Sequence, residues 1–221
     1  LVVNTADYAW SENVLLKPEH RSYSPAYWKS RILAPSMFLV FWGIKKRLPG
    51  LEHHNLYFSA DWNDHFSKIF DKPSWPENPC FYLSAITKTD PMMAPHGKEN
   101  LFLLIPAAPG LPDGEAFRSD YLDRALGHVE AVTGERFRDQ IEVQRVFAQS
   151  DFQRDYNAWN GTGLGLAHTL FQTAIFRPAR HSRKLKNLFY SGQYTHPGVG
   201  VPMTLISSQV TVDVIGRSFL P

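Results

Sequence analysis

Residues Asn187 to Thr211 read NLFYSGQYTHPGVGVPMTLISSQVT. The order is an apolar strand, a glycine turn at Gly192, a second glycine turn at Gly198 and Gly200, and a helix that starts near Val201. Pro202 suits the first helical turn, where a missing N–H leaves no bond unmade. Gly198 and Gly200 let the backbone come close to a ligand. The free N–H groups and positive dipole end from Val201 to Thr204 would then face that ligand and stabilise an anion, or a carbonyl that gains charge.

Around this stretch, composition narrows the possibilities. The chain has 221 residues, 43% hydrophobic, with 23 Lys+Arg against 21 Asp+Glu. That fits one ordinary domain or two small ones and excludes a disordered chain. Nucleic acid is not implied, because the longest basic cluster, Arg177 to Lys186, is interrupted by Pro178, Ala179, Ser182 and Leu185. A single cysteine, Cys80, excludes a disulfide framework and multi-cysteine metal cages, so a reducing, cytoplasmic compartment is expected, with Cys80 buried and inert. Met37 to Ile44 is strand-sized and is stopped by Lys45, Lys46 and Arg47. Any membrane contact is therefore expected to be peripheral. The chain opens at Leu1 on a β-branched run and reads as a piece of a longer protein.

The pattern predicts a buried strand at Leu1–Asn4 and a short helix over Pro25–Ile32 capped by Ser24. It also predicts strands at Ser36–Ile44, Asn55–Ser59, Cys80–Thr87, Leu101–Ala107 and Ile141–Phe147. Asp61 should cap a helix to Phe70 with Trp62, Phe66, Ile69 and Phe70 on one face. Phe117–Val132 has helical spacing and a stop at Gly134. A short helix should run from Asp151 to about Trp159, and the glycine-rich turn Gly161–Gly165 should lead into Leu170–Phe176. After the strand Asn187–Tyr190, the last helix is expected over Val201 to about Ile215.

The Asn187–Thr211 segment resembles the C-terminal flavin signature of the phytoene and carotenoid desaturases, a branch of the flavin amine-oxidase-like oxidoreductases. Gly192, Thr195, His196, Pro197, Gly198, Gly200, Val201 and Pro202 match it. Val2, Val3, Ala6 and Asp7 resemble the family's VVxxAD element, and Phe176, Arg177 and Pro178 its FRP element; the Ala94-Pro95-x-Gly97 turn also fits. The resemblance covers only the family's C-terminal half, without the GxGxxG that receives the FAD pyrophosphate. Gly161–Gly165 has the wrong spacing to replace it. Two departures are Tyr194, which could crowd the flavin edge, and Gln209, expected on the outer face of the last helix.

The resemblance implies an α+β fold. An antiparallel sheet with flanking helices, residues 10–175, would be the substrate-binding domain. Residues 1–9 and 176–221 would be the C-terminal strand–loop–helix portion of a Rossmann-like FAD-binding domain. Gly192, Gln193, Thr195, His196, Pro197, Gly198, Gly200, Val201 and Pro202 would contact the FAD. The implied activity is removal of hydrogen from an apolar polyene at a peripheral membrane surface. The chain by itself would be inactive. Two alternatives stay open: a non-catalytic isoprenoid or lipid carrier, which would not need the Gly198–Pro202 turn, and a flavin amine oxidase, which would present an aromatic cage. No catalytic acid–base pair is legible, and no metal site.

Other residues have plainer readings. The His196 ring is expected to fix its loop. Phe38, Phe41, Trp42, Phe58, Phe81, Phe102 and Phe171 read as core, with alternate positions of three strands free to line a polyene channel. His53 and His54, adjacent in a strand, should point to opposite faces. Arg177, Arg180, Arg183, Lys184 and Lys186 read either as a solvated loop or as a surface for anionic lipid headgroups.

Overall fold

The computed structural model describes residues 1–58 and 61–219. Ser59, the end of the expected second strand, lies outside the described residues, as do Leu220 and Pro221 at the end of the expected flavin portion. The fold is α+β, with two compact units: residues 1–35 with 152–221, and residues 36–151.

The continuous unit is built on a five-stranded sheet. β2 (Ser36–Ile44), β3 (His54–Tyr57), β4 (Phe81–Ala85), β5 (Glu99–Ala107) and β6 (Ile141–Phe147) lie in the order β3-β4-β5-β2-β6. Every neighbouring pair is antiparallel. One face is the core. Phe38, Val40, Trp42 and Ile44 of β2 and Leu101, Leu103 and Ile105 of β5 are buried with Tyr121, Ala125, Leu126 and Val129 of the helix Glu115–Thr133. Burying each such side chain contributes about 1.5–3 kcal/mol. Gly134 ends that helix in the left-handed region, φ 74°, and donates to the Glu130 carbonyl at 3.0 Å.

Asp61 caps the helix Trp62–Phe70 as expected, but the buried side chains are His65 and Ile69. Trp62, Phe66 and Phe70 instead stack outward with Phe58, at centroid spacings of 4.7, 5.6 and 6.2 Å. The helix is fixed by His65, whose Nδ1 accepts from the Cys80 N–H at 3.0 Å while Nε2 meets the Pro106 carbonyl at 3.2 Å. A polar side chain holds the inner face because it satisfies two backbone groups there. Cys80 itself is partly exposed.

In the other unit, β1 (Val2–Asn4) and β7 (Leu188–Tyr190) form a parallel pair. Val2 and Val3 are exposed, so β1 is not the buried strand expected, while β7 is fully buried. Ser24 and Pro25 start the helix Pro25–Lys29, which ends short of Ile32. Tyr8, Tyr23, Trp28, Leu166, Tyr190 and Tyr194 form one buried cluster, with Tyr8 stacked on Tyr190 at 3.6 Å. This aromatic cluster is why residues 10–35 and 152–175 group with the chain ends, whereas the sequence reading set its divisions after Ala9 and Ile175. The helix Gln149–Tyr156 closes before Asn157, whose φ is 54°. The last helix, Val201–Phe219, is longer than expected.

Candidate functional site

Because β1 and β7 run parallel, with Val2 opposite Leu188 and Asn4 opposite Tyr190, the loops that follow them leave the same end. Thr5–Asp7 and Ser191–Thr195 thus meet, and with Thr204 and Ser208 of the last helix and Phe152, Tyr156 and Ala158 they line a cleft of ≈ 550 Å³. Of the residues expected to contact a ligand, Gly192, Gln193 and Thr195 lie in this lining; His196, Pro197, Gly198, Gly200, Val201 and Pro202 do not.

Hydroxyls hold the β7 loop in place. Ser207 Oγ accepts from the Gly192 N–H at 3.1 Å and lies 2.8 Å from Thr195 Oγ1. Arg180 Nε donates to Thr211 Oγ1 at 3.1 Å. The last helix therefore turns Ser207 and Thr211 inward and leaves Val201, Leu205, Ile206 and Val212 exposed. Gln209 lies on the outer face, as expected, and donates to Asp213.

Tyr194 is part of the cleft lining. Its ring is buried edge-on to Trp28, and its hydroxyl donates to Asp7 Oδ2 at 2.6 Å. Asp7 also accepts from the Trp10 and Trp159 N–H groups, at 2.8 and 3.1 Å. Burial pushes the Asp7 carboxyl above the usual carboxylate range, against the opposing pull of these donors. Asp7 was legible only as part of the VVxxAD element, and Tyr194 only as a departure; the meeting of their loops is a product of the parallel pairing.

Gly198 is forced by its neighbours. At φ 123°, a Cβ there would stand 2.5 Å from the His168 ring. Partial burial and the Arg177 charge lower the His168 pKa, favouring the neutral ring whose Nε2 accepts from the Val199 N–H at 3.4 Å. Arg177 is buried and donates to the carbonyls of Gln172 and Gln193 at 3.0 and 2.6 Å, so it is a brace for the loop and not part of a lipid-facing surface. The His196 carbonyl, which accepts from Arg180 at 2.6 Å, ties its loop down, while the ring is exposed.

Among the described residues, the cleft lining holds no Lys, Arg or His, and Asp7 is its one carboxyl group. Hydroxyls and the Gln193 amide alternate with Phe152 and Tyr156. Such a lining fits a flat, uncharged heteroaromatic ring with polar edges. It offers no cation to a pyrophosphate.

The five-stranded sheet carries a second candidate surface. Opposite its core face, cross-strand register places Leu56, Tyr82, Leu104, Leu39 and Phe147 in one row and His54, Ser84, Phe102, Phe41 and Arg145 in the next. Leu56 and Phe41 are exposed, and Tyr82, Phe102, Leu104 and Leu39 half-buried. Phe41 and Phe102 touch at 5.1 Å. The expectation that Phe41, Phe58 and Phe171 are core does not hold, for all three are exposed; Phe38, Trp42 and Phe81 are core. The His53 and His54 rings do not diverge but stack at 3.9 Å, because β3 starts only at His54. Among the described residues, no group of three or more His, Cys, Asp or Glu could hold a metal ion.

No protein-family profile matches the chain. It is 46% identical to a carotenoid 3,4-desaturase of Haloarcula japonica, over 97% of the chain and 43% of that protein. It is 34% identical to a zeta-carotene-forming phytoene desaturase of Myxococcus xanthus, over 80% of the chain and 35% of that protein. To a phytoene desaturase of Phycomyces blakesleeanus it is 31% identical, over 90% and 37%. The crystal structure of an oxidoreductase from Methanosarcina mazei shares the fold, with a TM-score of 0.53 at 12% identity over 96% of the chain and 42% of that one. The chain spans about two fifths of the length of these relatives. With 46% identity along nearly all of its residues, it is similar to part of the carotenoid and phytoene desaturases.

Proposed function

We propose that the chain is part of a flavin-dependent desaturase that removes hydrogen from a long apolar polyene of the phytoene kind and extends its conjugation. The observation that carries this reading is the open, apolar face of the five-stranded sheet. A hydrocarbon has no polar group to recognise, so it must be bound by area. With each buried CH2 worth about 0.8 kcal/mol, the row through Leu56, Tyr82, Leu104, Leu39 and Phe147, with Phe41 and Phe102 beside it, is a wall suited to a C40 chain. Relatives named as carotenoid and phytoene desaturases support the same substrate class.

The cleft beside Gly192 fits the ring end of FAD. Gln193, Thr195, Thr204 and Ser208 would meet its polar edge, and Phe152 and Tyr156 its flat face. The flavin, when bound, would supply the hydride acceptor. The chain's own residues orient the ring through the bonds that fix Gly192 and Thr195. The pyrophosphate would need groups that this lining does not provide.

Among the described residues, no helix is long and apolar enough to cross a membrane. A peripheral association on the cytoplasmic side would give the protein access to a bilayer-dissolved polyene.

The test is Phe102→Asp in a protein of the family's full length, with phytoene in detergent as substrate. Loss of turnover with flavin absorbance retained supports the reading. Normal phytoene turnover together with oxidation of a small amine would replace it with the amine-oxidase alternative, and absence of any flavin-dependent turnover by the unsubstituted protein would favour the carrier.

A further inference from the structure

The open face of the five-stranded sheet ends in a pocket. Two residues along the strands from Phe102 and Phe41, a third row sets Asn100 of β5, Gly43 of β2 and Val143 of β6 side by side. Successive rows stand about 7 Å apart, the rise of two strand residues. The middle of this row has no side chain, so Gly43 leaves a notch between its neighbours, and a Cβ there would stand 3.2 Å from the Val143 Cβ. A cavity of ≈ 410 Å³ lies over the notch, lined by Phe41 of the preceding row, by Asn100 and Val143, and by the turn Met93-Ala94-Pro95.

That turn is bonded at both ends. The Met92 N–H donates to Asp90 Oδ1 at 3.0 Å, Asn100 Nδ2 to the Met93 carbonyl at 3.3 Å, and the Lys98 N–H to the Pro95 carbonyl at 3.0 Å. Gly97, at φ 78°, returns the chain to β5. Beyond the notch the lining becomes charged. The β2–β6 register shifts between Gly43 and Ile44, and Glu142 forms an ion pair with Lys98, joining β6 to the start of β5 across β2. The other carboxylate of the lining, Glu99, turns to the core side, where it meets Arg47 and the Leu48 N–H at 3.2 and 3.3 Å. A hydrocarbon sliding along the open face thus meets apolar surface up to the notch and then a pair of charges, whose water it would have to strip. The occupant follows from this continuity: the pocket opens off the same apolar rows, and the Asn100 amide that a polar ligand would seek is engaged with the turn.

We propose that this pocket receives one branched end of the polyene, and that Gly43, Val143 and Ala94 set how long a chain the open face accepts. This deepens the desaturase reading above and rests on it.

The experiment fills the pocket from two sides. Val143→Phe does so from the edge strand β6, where Val143 is 61% exposed and an aromatic residue suits the strand, and Ala94→Phe does so from the turn. A protein of the family's full length is given phytoene and a C30 polyene with the same end groups, each in detergent. A shorter chain can draw back onto the rows and leave the pocket, whereas a C40 chain loses its seat. Each variant should therefore lower kcat/KM for the C40 chain and spare the C30 chain, raising the C30-to-C40 ratio about tenfold or more. Unchanged circular dichroism and flavin absorbance are the controls, and either variant carries the test if the other misfolds. A ratio that does not move in the folded variants, including equal losses on both chains, overturns the pocket and leaves the desaturase reading in place. Self-association by sedimentation that disappears in Val143→Phe would give the notch to a second copy and also overturns the proposal. An unsubstituted protein that turns over neither polyene removes the desaturase reading and this proposal with it.

Discussion

The Tyr194 hydroxyl donates to Asp7 Oδ2 at 2.6 Å and so joins the loop after β1 to the loop after β7. Tyr194→Phe removes that donor and leaves a buried carboxyl oxygen with one partner fewer. A loss of about 1–3 kcal/mol in unfolding free energy should follow, read by denaturant titration. The Asp7 pKa, already raised by burial, should rise further, because a bond that favoured the charged form is gone. Carbon NMR titration of the Asp7 carboxyl measures it. The sign for stability follows: the folded carboxyl holds its proton more tightly than the unfolded one. The Asp7 contribution therefore falls as pH rises from the ordinary carboxylate range through the raised value.

Phe102 and Leu103 are neighbours on β5 with opposite surroundings, one on the open face and the other buried in the core. Leu103→Asp should destabilise the fold by more than about 4 kcal/mol, since it buries a carboxylate without a partner. Phe102→Asp should shift the melting temperature little. Paired thermal melts separate them, and a melt of Phe102→Asp that falls as far as that of Leu103→Asp would contradict the assignment of faces.

Much of this was legible from residue types. The strand Ser36–Ile44 is found at its expected ends because a continuous apolar run there stops at three basic residues, and Ser24-Pro25 starts its helix as a cap and first-turn pair should. What could not be read was which apolar side chains face inward. The Trp62–Phe66–Phe70 stripe has ordinary core spacing, yet His65 is the inner residue because it satisfies two backbone groups. In the last helix the inner face is Ser207 and Thr211, since the loop it supports needs hydroxyl partners more than area. Within the signature, Gly192, Gln193 and Thr195 are at the cleft, but periodicity carries no sign of Asp7, which arrives through pairing across the chain.

Gly198 and Gly200 should respond differently to the same substitution. Gly198→Ala sets a methyl group against His168 and strains φ, and should destabilise by about 2–4 kcal/mol. Gly200→Ala strains φ but meets nothing closer than Met203 at 3.8 Å, so about 1 kcal/mol is expected. Chemical denaturation of both variants checks the order.

FAD titrated into the 221-residue chain should give no saturable yellow complex at micromolar concentration, because these residues include no GxGxxG turn whose N–H groups and helix start would receive the pyrophosphate. Equilibrium dialysis measures this. A tight stoichiometric complex would show that the ring end alone suffices.

The parallel pairing of Val2 with Leu188 sets an order of events during synthesis. Residues 36–151 are continuous and can complete their sheet as soon as they clear the ribosome, whereas β1 has to wait for β7. At about 5–20 residues per second, the intervening stretch takes roughly ten to forty seconds to make. For that interval Val2 and Val3 are without their β7 partners.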